Sequence, residues 1–312
     1  MTLPQNIVGV DVAKNWIDAY HLSTGRSERI TMTKQDLARF TKGATGCLVV
    51  LEASGGYERP LTDALTRFKA DFICVNPRHA REYARSTGRL AKTDKVDAEV
   101  LARMGRALEL KPTPPLARVR VELGELVARR NDLVGMIGAE RNRLGQSHNA
   151  WVRKKIEMLI KVLKLHLATV TTEIAGSTAA DATLAQQSLR LQSMPGIGPT
   201  IAAVILARLP ELGQLDRRKL ASLAGLAPHA SESGQHRGKR RIWGGRADLT
   251  RALYLAAFIA SRCDPAIKAY RQKLQTAGKP TKVAIIACAR KLLTILSAMI
   301  RDEKDYGENK VA

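Results

Sequence analysis

The hydrophobic positions of the first hundred residues switch repeatedly between strand-like and helix-like periods. Apolar, β-branched runs predict strands at 6–13, 16–23, 28–33, 47–52 and 71–75. A helical period predicts helices at 34–42, 57–69, 77–85 and 94–108. Three hairpin-like strands followed by β/α alternation predict a mixed sheet flanked by helices, the element order of a ribonuclease H-like domain.

A proline-rich linker at 111–115 separates this region from a heptad pattern. The heptad positions are Val119, Leu123, Leu126, Arg130, Leu133, Ile137, Glu140 and Leu144. A second helix follows a bend at 146–150 with a similar rhythm, at Ile156, Leu159, Leu163, Leu167, Val170 and Ile174. The pattern predicts an antiparallel helical hairpin or coiled-coil arm. An oligomer interface and two amphipathic helices packed on their own domain explain it equally well.

The C-terminal part, from residue 189 onward, reads as almost entirely helical, apart from a Gly- and Arg-rich loop at 229–246. The Ser-, Thr- and Ala-rich stretch 176–187 is expected to link the arm to this domain, and 283–300 reads as a core helix. We therefore expect an α/β domain at 1–110, a linker and helical arm at 111–188, an all-α domain at 189–302, and a disordered polar tail at 303–312.

The charge of the chain points to a polyanionic partner. Its 51 Lys and Arg residues against 29 Asp and Glu give a net charge of +22. The alternative is a basic protein whose charge serves only solubility. A membrane-surface protein is disfavoured because no amphipathic helix carries Trp or Phe along its apolar side. No apolar run reaches 18 residues and the N-terminus does not resemble a signal peptide, so we expect a cytoplasmic protein. The four cysteines, Cys47, Cys74, Cys263 and Cys288, read as small core residues.

Four carboxylates stand out by position. Asp11 lies inside an apolar strand, where a buried charge is costly unless it is paired or bound to a metal. Glu52 ends another strand, and Asp94 and Asp97 occupy the first turn of a helix. Each has an ordinary explanation on its own, such as pairing with Lys14 or helix capping. Together they offer only hard oxygen ligands, which is what a two-magnesium site for phosphoryl transfer requires.

Two further segments suggest phosphate binding. The turn 193–200 resembles a helix-hairpin-helix, in which Gly196 and Gly198 would let backbone N–H groups approach a phosphate. A tight connection between core helices is the alternative. The glycine-rich loop after it concentrates positive charge suited to gripping phosphates, with a solvated charge run as its alternative. Its basic residues are Arg237, Lys239, Arg240, Arg241 and Arg246.

Three motifs resemble the signature segments of the DEDD insertion-sequence transposases, which carry a RuvC-like nuclease domain and are related to the Piv DNA invertases. They are G-V-D-V-A-K at 9–14, L-E-A-S-G-G-Y-E at 51–58 and K-T-D-K-V-D-A at 92–98. The segments 223–246 and 249–257 are similar to the C-terminal domain of that family. By this resemblance the four carboxylates are Mg²⁺ ligands and Ser233 is the nucleophile. Ser231 falls where the motif demands no serine.

The resemblance implies a transposase or site-specific recombinase that cuts and rejoins DNA through a phosphoserine intermediate. It also implies a tetramer on donor and target duplexes, in which the serine of one subunit works with the carboxylates of another, and a guide (bridge) RNA. Two other functions stay open on the residues alone. One is a metal-dependent nuclease of the junction-resolvase type, and the other is an architectural DNA-binding protein with structural carboxylates.

Overall fold

The computed structural model describes residues 6–88, 94–229, 232–233, 236–237 and 241–307. The chain divides into two compact units, Met1–Pro115 and Leu116–Ala312. Each unit has its own hydrophobic core.

The first unit is built on a five-stranded sheet with the order β3-β2-β1-β4-β5. Its strands are β1 (Asn6–Val12), β2 (Trp16–His21), β3 (Arg26–Thr31), β4 (Cys47–Glu52) and β5 (Asp71–Val75). β1, β2 and β3 pair antiparallel, whereas β4 pairs parallel with both β1 and β5. The predicted mixed sheet and its ribonuclease H-like order are confirmed.

Helices cover both faces of this sheet. They are α1 (Lys34–Gly43), α2 (Arg59–Arg67), α3 (Pro77–Ser86) and α4 (Asp94–Ala107). Alternation along the strands sends Val8, Val10, Val49 and Leu51 into a core with α1 and α2. The opposite face of β1 and β4 packs against α3 and α4, which supply Ala80, Leu101, Ala102 and Met104. The two cores explain why β1 and β4 are apolar on both faces.

The second unit begins with the predicted helical hairpin. Its helices are α5 (Arg118–Gln146) and α6 (Ala150–Ala180), joined by residues 147–149. Asn149 caps α6 by accepting from the backbone N–H groups of Trp151 and Val152. The base of the hairpin contributes Leu123, Val127 and Ile174 to the core of this unit. Both charged heptad positions are partly buried in the hairpin. Glu140 pairs with Arg143, whereas the Nε of Arg130 is buried without a hydrogen-bond partner among the described residues, and burial lowers the pKa of Arg130.

The rest of the second unit is helical except for short strands. Its helices are α7 (Ala182–Gln192), α8 (Pro199–Arg208), α9 (Arg217–Leu223), α10 (Ala247–Cys263), α11 (Pro265–Thr276) and α12 (Thr281–Arg301). Its strands are β6 (Pro228–His229), β7 (Glu232–Ser233), β8 (His236–Arg237) and β9 (Arg241–Ile242). The stretch 176–187, expected to link the arm to this domain, is helical: α6 continues to Ala180, and Asp181 caps α7 by accepting from the N–H of Leu184.

The C-terminal tail and the cysteines also depart from expectation. Residues 302–307 are ordered: the hydroxyl of Tyr306 donates to Asp264, and its N–H donates to Ser193. Burial and the neighbouring Asp264 carboxylate raise the pKa of Tyr306 to about 12. Cys288 alone is buried, whereas Cys74 and Cys263 are exposed, because a strand or helix that looks apolar still has a solvent side.

α12 is, within the described residues, the one helix long and apolar enough to cross a membrane by length and composition. Its apolar side lies in the core of the second unit, through residues such as Ile285, Cys288, Leu292 and Leu296. Length and composition alone therefore do not make it a membrane span.

Candidate active site

Gly9 lets α4 lie directly on β1. A side chain at this position would place its Cβ 2.0 Å from the carbonyl oxygen of Ala98 and 2.5 Å from the backbone nitrogen of Ala102. Further along α4, a Cβ on Gly105 would meet Val50 and Ile7 at 2.7 and 3.2 Å. Residue numbers therefore fall along α4 as they rise along β1, and the two elements run antiparallel.

This direction brings the start of α4 over the carboxyl ends of β1 and β4. One two-residue step along a strand covers about 6.6 Å, the rise of about four helical residues. Moving from Gly9 to Asp11 thus corresponds to moving from the Ala98–Ala102 contact back into the first turn of α4. Asp94 and Asp97 belong to that turn. The expectation that the two strand carboxylates face the two helix carboxylates is compatible with this backbone arrangement and stays a prediction.

Asp11 and Glu52 lie side by side on the face that α4 covers. Val10 pairs with Leu51 as the last register pair between β1 and β4, and the two carboxylates follow these residues. Adjacent strands are about 4.8 Å apart. Alternation from Ile7 and Leu48, which both face α4, puts Asp11 and Glu52 on the same side. Both side chains are half-buried, so solvent and ions reach them.

The four predicted carboxylates are only partly described. Asp97 is half-buried in α4, and the side chain of Asp94 lies outside the described residues. Among the side chains that the structure describes, no three His, Cys, Asp or Glu residues stand close enough together to hold a metal ion. The backbone therefore brings the four positions to one edge of the sheet without displaying a formed metal cage.

Glu58 shapes the loop that follows Glu52. One oxygen of its carboxylate accepts the N–H groups of Ser54 and Gly56 at 3.0 and 2.9 Å and the Ser54 hydroxyl at 3.1 Å. Burial raises the pKa of Glu58, but these hydrogen bonds outweigh it and hold the pKa below its ordinary value. Tyr57 in this loop is 50% exposed.

Asp18 is a carboxylate of this region that the sequence reading missed. It pairs directly with Asp11 across β1 and β2, and it is 5% exposed. Arg29 of β3 forms a two-pronged ion pair with it, at 2.9 and 2.8 Å. A carboxylate within the largely apolar strand Trp16–His21 was the signal available in the sequence, but which residues it faces depends on strand register.

The two glycines of the turn before α8 have different surroundings. Gly196 has a φ of +93°, and its Cβ would lie 2.6 Å from the carbonyl oxygen of Ala256 in α10. Packing therefore accounts for this glycine. Gly198 is the N-cap residue of α8 and has no atom within 4 Å of a Cβ position. Phosphate binding at this turn stays a prediction, and the geometry allows it at Gly198.

The described part of the serine-bearing loop contains two nested pairs of short strands. β6 pairs with β9, and β7 pairs with β8 so that Ser233 and His236 are register partners. The backbone of Arg237 is in β8, whereas Lys239, Arg240 and Ser231 lie outside the described residues. Arg241 is exposed in β9.

A clamp of backbone and side-chain contacts holds the base of this loop. A Cβ on Gly225 would lie 2.6 Å from the carbonyl oxygen of Gly244, and one on Gly245 would lie 2.2 Å from the nitrogen of Gly225. Only glycines allow the two ends to approach this closely. The hydroxyl of Thr250 donates to the carbonyl of Ala224 at 2.7 Å, and the N–H of Arg246 donates to Leu223 at 2.9 Å.

Arg246 belongs to this clamp. Its guanidinium donates to both oxygens of Glu211 at 2.7 and 2.8 Å and to the carbonyl of Arg208. Burial raises the pKa of Glu211, but the hydrogen bonds and charge of Arg246, with a backbone hydrogen bond, lower it overall. The geometry thus assigns Arg246 a structural task that its place in a basic loop did not suggest.

Replacing Arg246 with Met is expected to lower the free energy of unfolding by about 1–2 kcal/mol, because it breaks a half-buried, bidentate pair. Arg241→Met is the matched control, because it removes the same charge from an exposed position of the same loop. It should leave the free energy of unfolding and the melting temperature unchanged. An Arg246→Met protein as stable as Arg241→Met would contradict the clamp.

Comparisons with known proteins agree with both units. Residues 8–147 match the family described as a transposase of the DEDD, IS110 type, and residues 188–272 match the "Transposase IS116/IS110/IS902 family". The pilin gene-inverting proteins of Moraxella bovis and Moraxella lacunata are each 28% identical to this chain, over 97% of it and 98% of their own length. The insertion element IS110 uncharacterized 43.6 kDa protein of Streptomyces coelicolor is 37% identical over 37% of this chain and 29% of its own.

The family matches assign the ribonuclease H-like sheet and the helical domain with its basic loop to a DNA transposase or recombinase. The first match covers the sheet and α4, and the second covers the serine-bearing loop and the helices on either side of it. The chain belongs to the IS116/IS110/IS902 family of transposases. Its substrate is therefore DNA, and its family suggests dependence on a divalent metal.

Proposed function

We propose that this transposase cuts and rejoins DNA strands with a Mg²⁺ site formed by Asp11, Glu52, Asp94 and Asp97, and with Ser233 as the nucleophile. The observation that carries the proposal is the placement of Asp11 and Glu52 side by side under the first turn of α4. The two strand carboxylates and the two helix carboxylates would thereby share one end of the sheet.

The donor set suits Mg²⁺, which prefers carboxylate oxygens and keeps part of its water shell. All four groups are carboxylates, and the three whose side chains are described are half-buried, so they are accessible to an ion. When bound, divalent ions would stabilise charge on the attacking and leaving oxygens of phosphoryl transfer. The carboxylates would hold those ions, and the Glu58 hydrogen bonds would fix the loop that follows Glu52.

Ser233 would supply the covalent step. Attack by its Oγ on phosphorus forms an O–P bond while the bond to one deoxyribose oxygen breaks, and the hydroxyl proton ends on the departing oxygen. A deoxyribose hydroxyl of a new strand then attacks the same phosphorus, and the serine regains a proton. No phosphate-bond energy is lost, so rejoining needs no nucleotide cofactor. The clamp at Gly225, Gly245 and Arg246 would hold the ends of the serine loop at a fixed separation.

The positive charge of the chain would hold the DNA backbone. Arg241 is exposed on β9, and Arg237, Lys239 and Arg240 precede it in the sequence. Together with the open N-terminus of α8 at Gly198, they would contact phosphates without reading bases. Arg246, whose guanidinium is bound to Glu211, is left out of this set.

The test is the capture of a covalent protein–DNA adduct. The wild-type protein, incubated with a DNA substrate, Mg²⁺ and any co-purifying RNA and then denatured, should retain labelled DNA. Ser233→Ala should lose the adduct completely, because no other group takes the phosphate. Ser231→Ala is the matched control in the same loop and should keep it.

Other outcomes would assign the chain a different chemistry. Strand hydrolysis without an adduct, unchanged in Ser233→Ala, would indicate a metal-dependent nuclease of the junction-resolvase type. Tight DNA binding with no cutting under any metal would indicate an architectural protein. An adduct lost in Ser231→Ala and kept in Ser233→Ala would identify Ser231 as the nucleophile.

We also propose that the helical hairpin joins copies of this chain into a dimer or tetramer. Trp151, Met158 and Leu165 of α6 follow each other at intervals of seven and are 68%, 51% and 68% exposed, and Val162 between them is 52% exposed. Such a stripe is typical of a coiled-coil seam. Sedimentation as a single chain at micromolar concentration, with and without DNA, would contradict this.

On the basis of the family resemblance, we also propose that a guide RNA pairs with donor and target DNA. The net charge of +22 suits either nucleic acid. If the protein purified free of RNA cuts its DNA at the same site and rate as the protein with RNA, no guide is needed.

A further inference from the structure

A row of charged residues crosses the sheet at the level of the carboxylate site. Glu52 on β4 and Asp11 on β1 follow the register pair Leu51 and Val10, Asp18 on β2 is the partner of Asp11, and Arg29 on β3 is the partner of Asp18. Directly paired residues point to the same face of a sheet. Three neighbouring carboxylates thus stand in a line that ends in one guanidinium.

Two carboxylates directly opposite each other on neighbouring strands repel, since their Cβ atoms are about 5 Å apart. Asp18 is nearly buried, so water screens its charge poorly. A charge in this setting needs a fixed partner, or else it attracts any cation bound next to Asp11.

Arg29 is that partner, and it is itself held in place. Its Nε and one terminal nitrogen donate to the two oxygens of Asp18 at 2.9 and 2.8 Å. The guanidinium carbon lies 4.8 Å from the ring centroid of Trp16, which orients the planar group. The fork occupies both oxygens of Asp18.

We propose that Arg29 is a positioning residue for the metal site: it closes Asp18 in an ion pair, so that Asp18 does not draw a cation away from Asp11 and Glu52. The inference rests on the proposed function, because it assigns the pair a task only if the carboxylates bind metal. Arg29 also sets the net charge of the row, and with it the affinity of the site for divalent ions.

The test measures Mn²⁺ binding to the intact protein from the free-ion signal in electron paramagnetic resonance. Arg29→Met leaves Asp18 uncompensated and should tighten Mn²⁺ binding on the order of tenfold. Asp18→Asn leaves the Arg29 charge uncompensated and should weaken it by a similar factor. The double variant should return to the wild-type affinity within about threefold. Strand cutting at saturating Mg²⁺ should fall in Arg29→Met and recover in the double variant.

The two single variants are expected to change the Mn²⁺ affinity in opposite directions, which separates this role from a purely structural one. If the pair only stabilises the fold, both single variants should shift the affinity in the same direction, and the double variant should not recover. Arg78→Met is the matched control, because it breaks an exposed Arg78–Glu82 pair in the same unit and should leave Mn²⁺ binding unchanged. If Arg29→Met fails to fold, Asp18→Asn still tests the role, because the weaker Mn²⁺ binding expected of that variant comes from the charge of Arg29.

The measurements distinguish a failure of the proposed Arg29 role from a failure of the proposed metal site. Wild-type Mn²⁺ binding with an unchanged or weaker affinity in Arg29→Met overturns the role of Arg29 and leaves the metal site standing. A wild-type protein that neither binds Mn²⁺ nor needs a divalent ion for cutting overturns the proposed metal site and this inference together.

Discussion

Replacing Asp11 with Asn is expected to reduce DNA strand cutting by at least about a thousandfold while leaving the fold intact. The change keeps the size and hydrogen-bonding capacity of the side chain but removes the charge at the centre of the row. Metal ions stabilise a phosphoryl-transfer transition state by several kcal/mol, and about 4 kcal/mol corresponds to a thousandfold in rate. The initial rate of adduct formation under single-turnover conditions, with excess Mg²⁺, measures the effect.

Asp63→Asn is the control for Asp11→Asn, because it removes the same charge from an exposed position of α2 in the same unit. It should cut at the wild-type rate. Both variants should bind DNA as the wild type does, since phosphate contacts come from basic residues. If Asp11→Asn cuts within about tenfold of wild type while remaining folded, Asp11 is not a metal ligand, and the carboxylate site as proposed is wrong.

Replacing Gly9 with Ala is expected to destabilise the first unit by about 3 kcal/mol or more. The added Cβ would lie 2.0 and 2.5 Å from backbone atoms of Ala98 and Ala102, and backbone cannot rotate away as a flexible side chain does. α4 must move off the sheet, which also separates Asp97 from Asp11. We therefore expect the melting temperature and the cutting rate to fall together, as measured by circular dichroism and adduct formation.

Gly43→Ala is the matched control for Gly9→Ala. Gly43 ends α1 in the same unit, and no atom lies within 4 Å of its Cβ position. This variant should stay within about 0.5 kcal/mol of the wild type. A Gly9→Ala protein as stable and active as Gly43→Ala would contradict the direct contact between α4 and β1.

The strands and helices of the first unit were predictable because the spacing of hydrophobic residues within each element indicates its type. Alternation in the strands and a helical period from residue 94 indicated the sheet and α4, and the antiparallel contact at Gly9 then brings Asp97 near Asp11. Asp18 was missed because its meaning depends on register. Only the pairing of β1 with β2, and of β2 with β3, makes it the neighbour of Asp11 and the partner of Arg29.

The second unit shows where a local pattern misleads. Arg246 reads as one more charge in a basic loop, yet its partner Glu211 lies 35 residues earlier in the chain. No spacing rule reaches that far. The strands at and near Ser233 are two residues long, which is too short to show an alternating pattern in the sequence. Asp181 caps a helix inside a stretch whose Ser, Thr and Ala content suggested a linker.

The proposed recombinase mechanism requires a covalent link between DNA and Ser233. The most direct measurement is mass spectrometry of the adduct after nuclease and trypsin digestion, because cleavage after Lys219 and Arg237 gives one peptide, 220–237, that contains Ser222, Ser231 and Ser233. We predict that fragmentation places a nucleotide phosphate on Ser233. A nucleotide on another residue, or cut DNA with no modified peptide, would contradict the proposed mechanism.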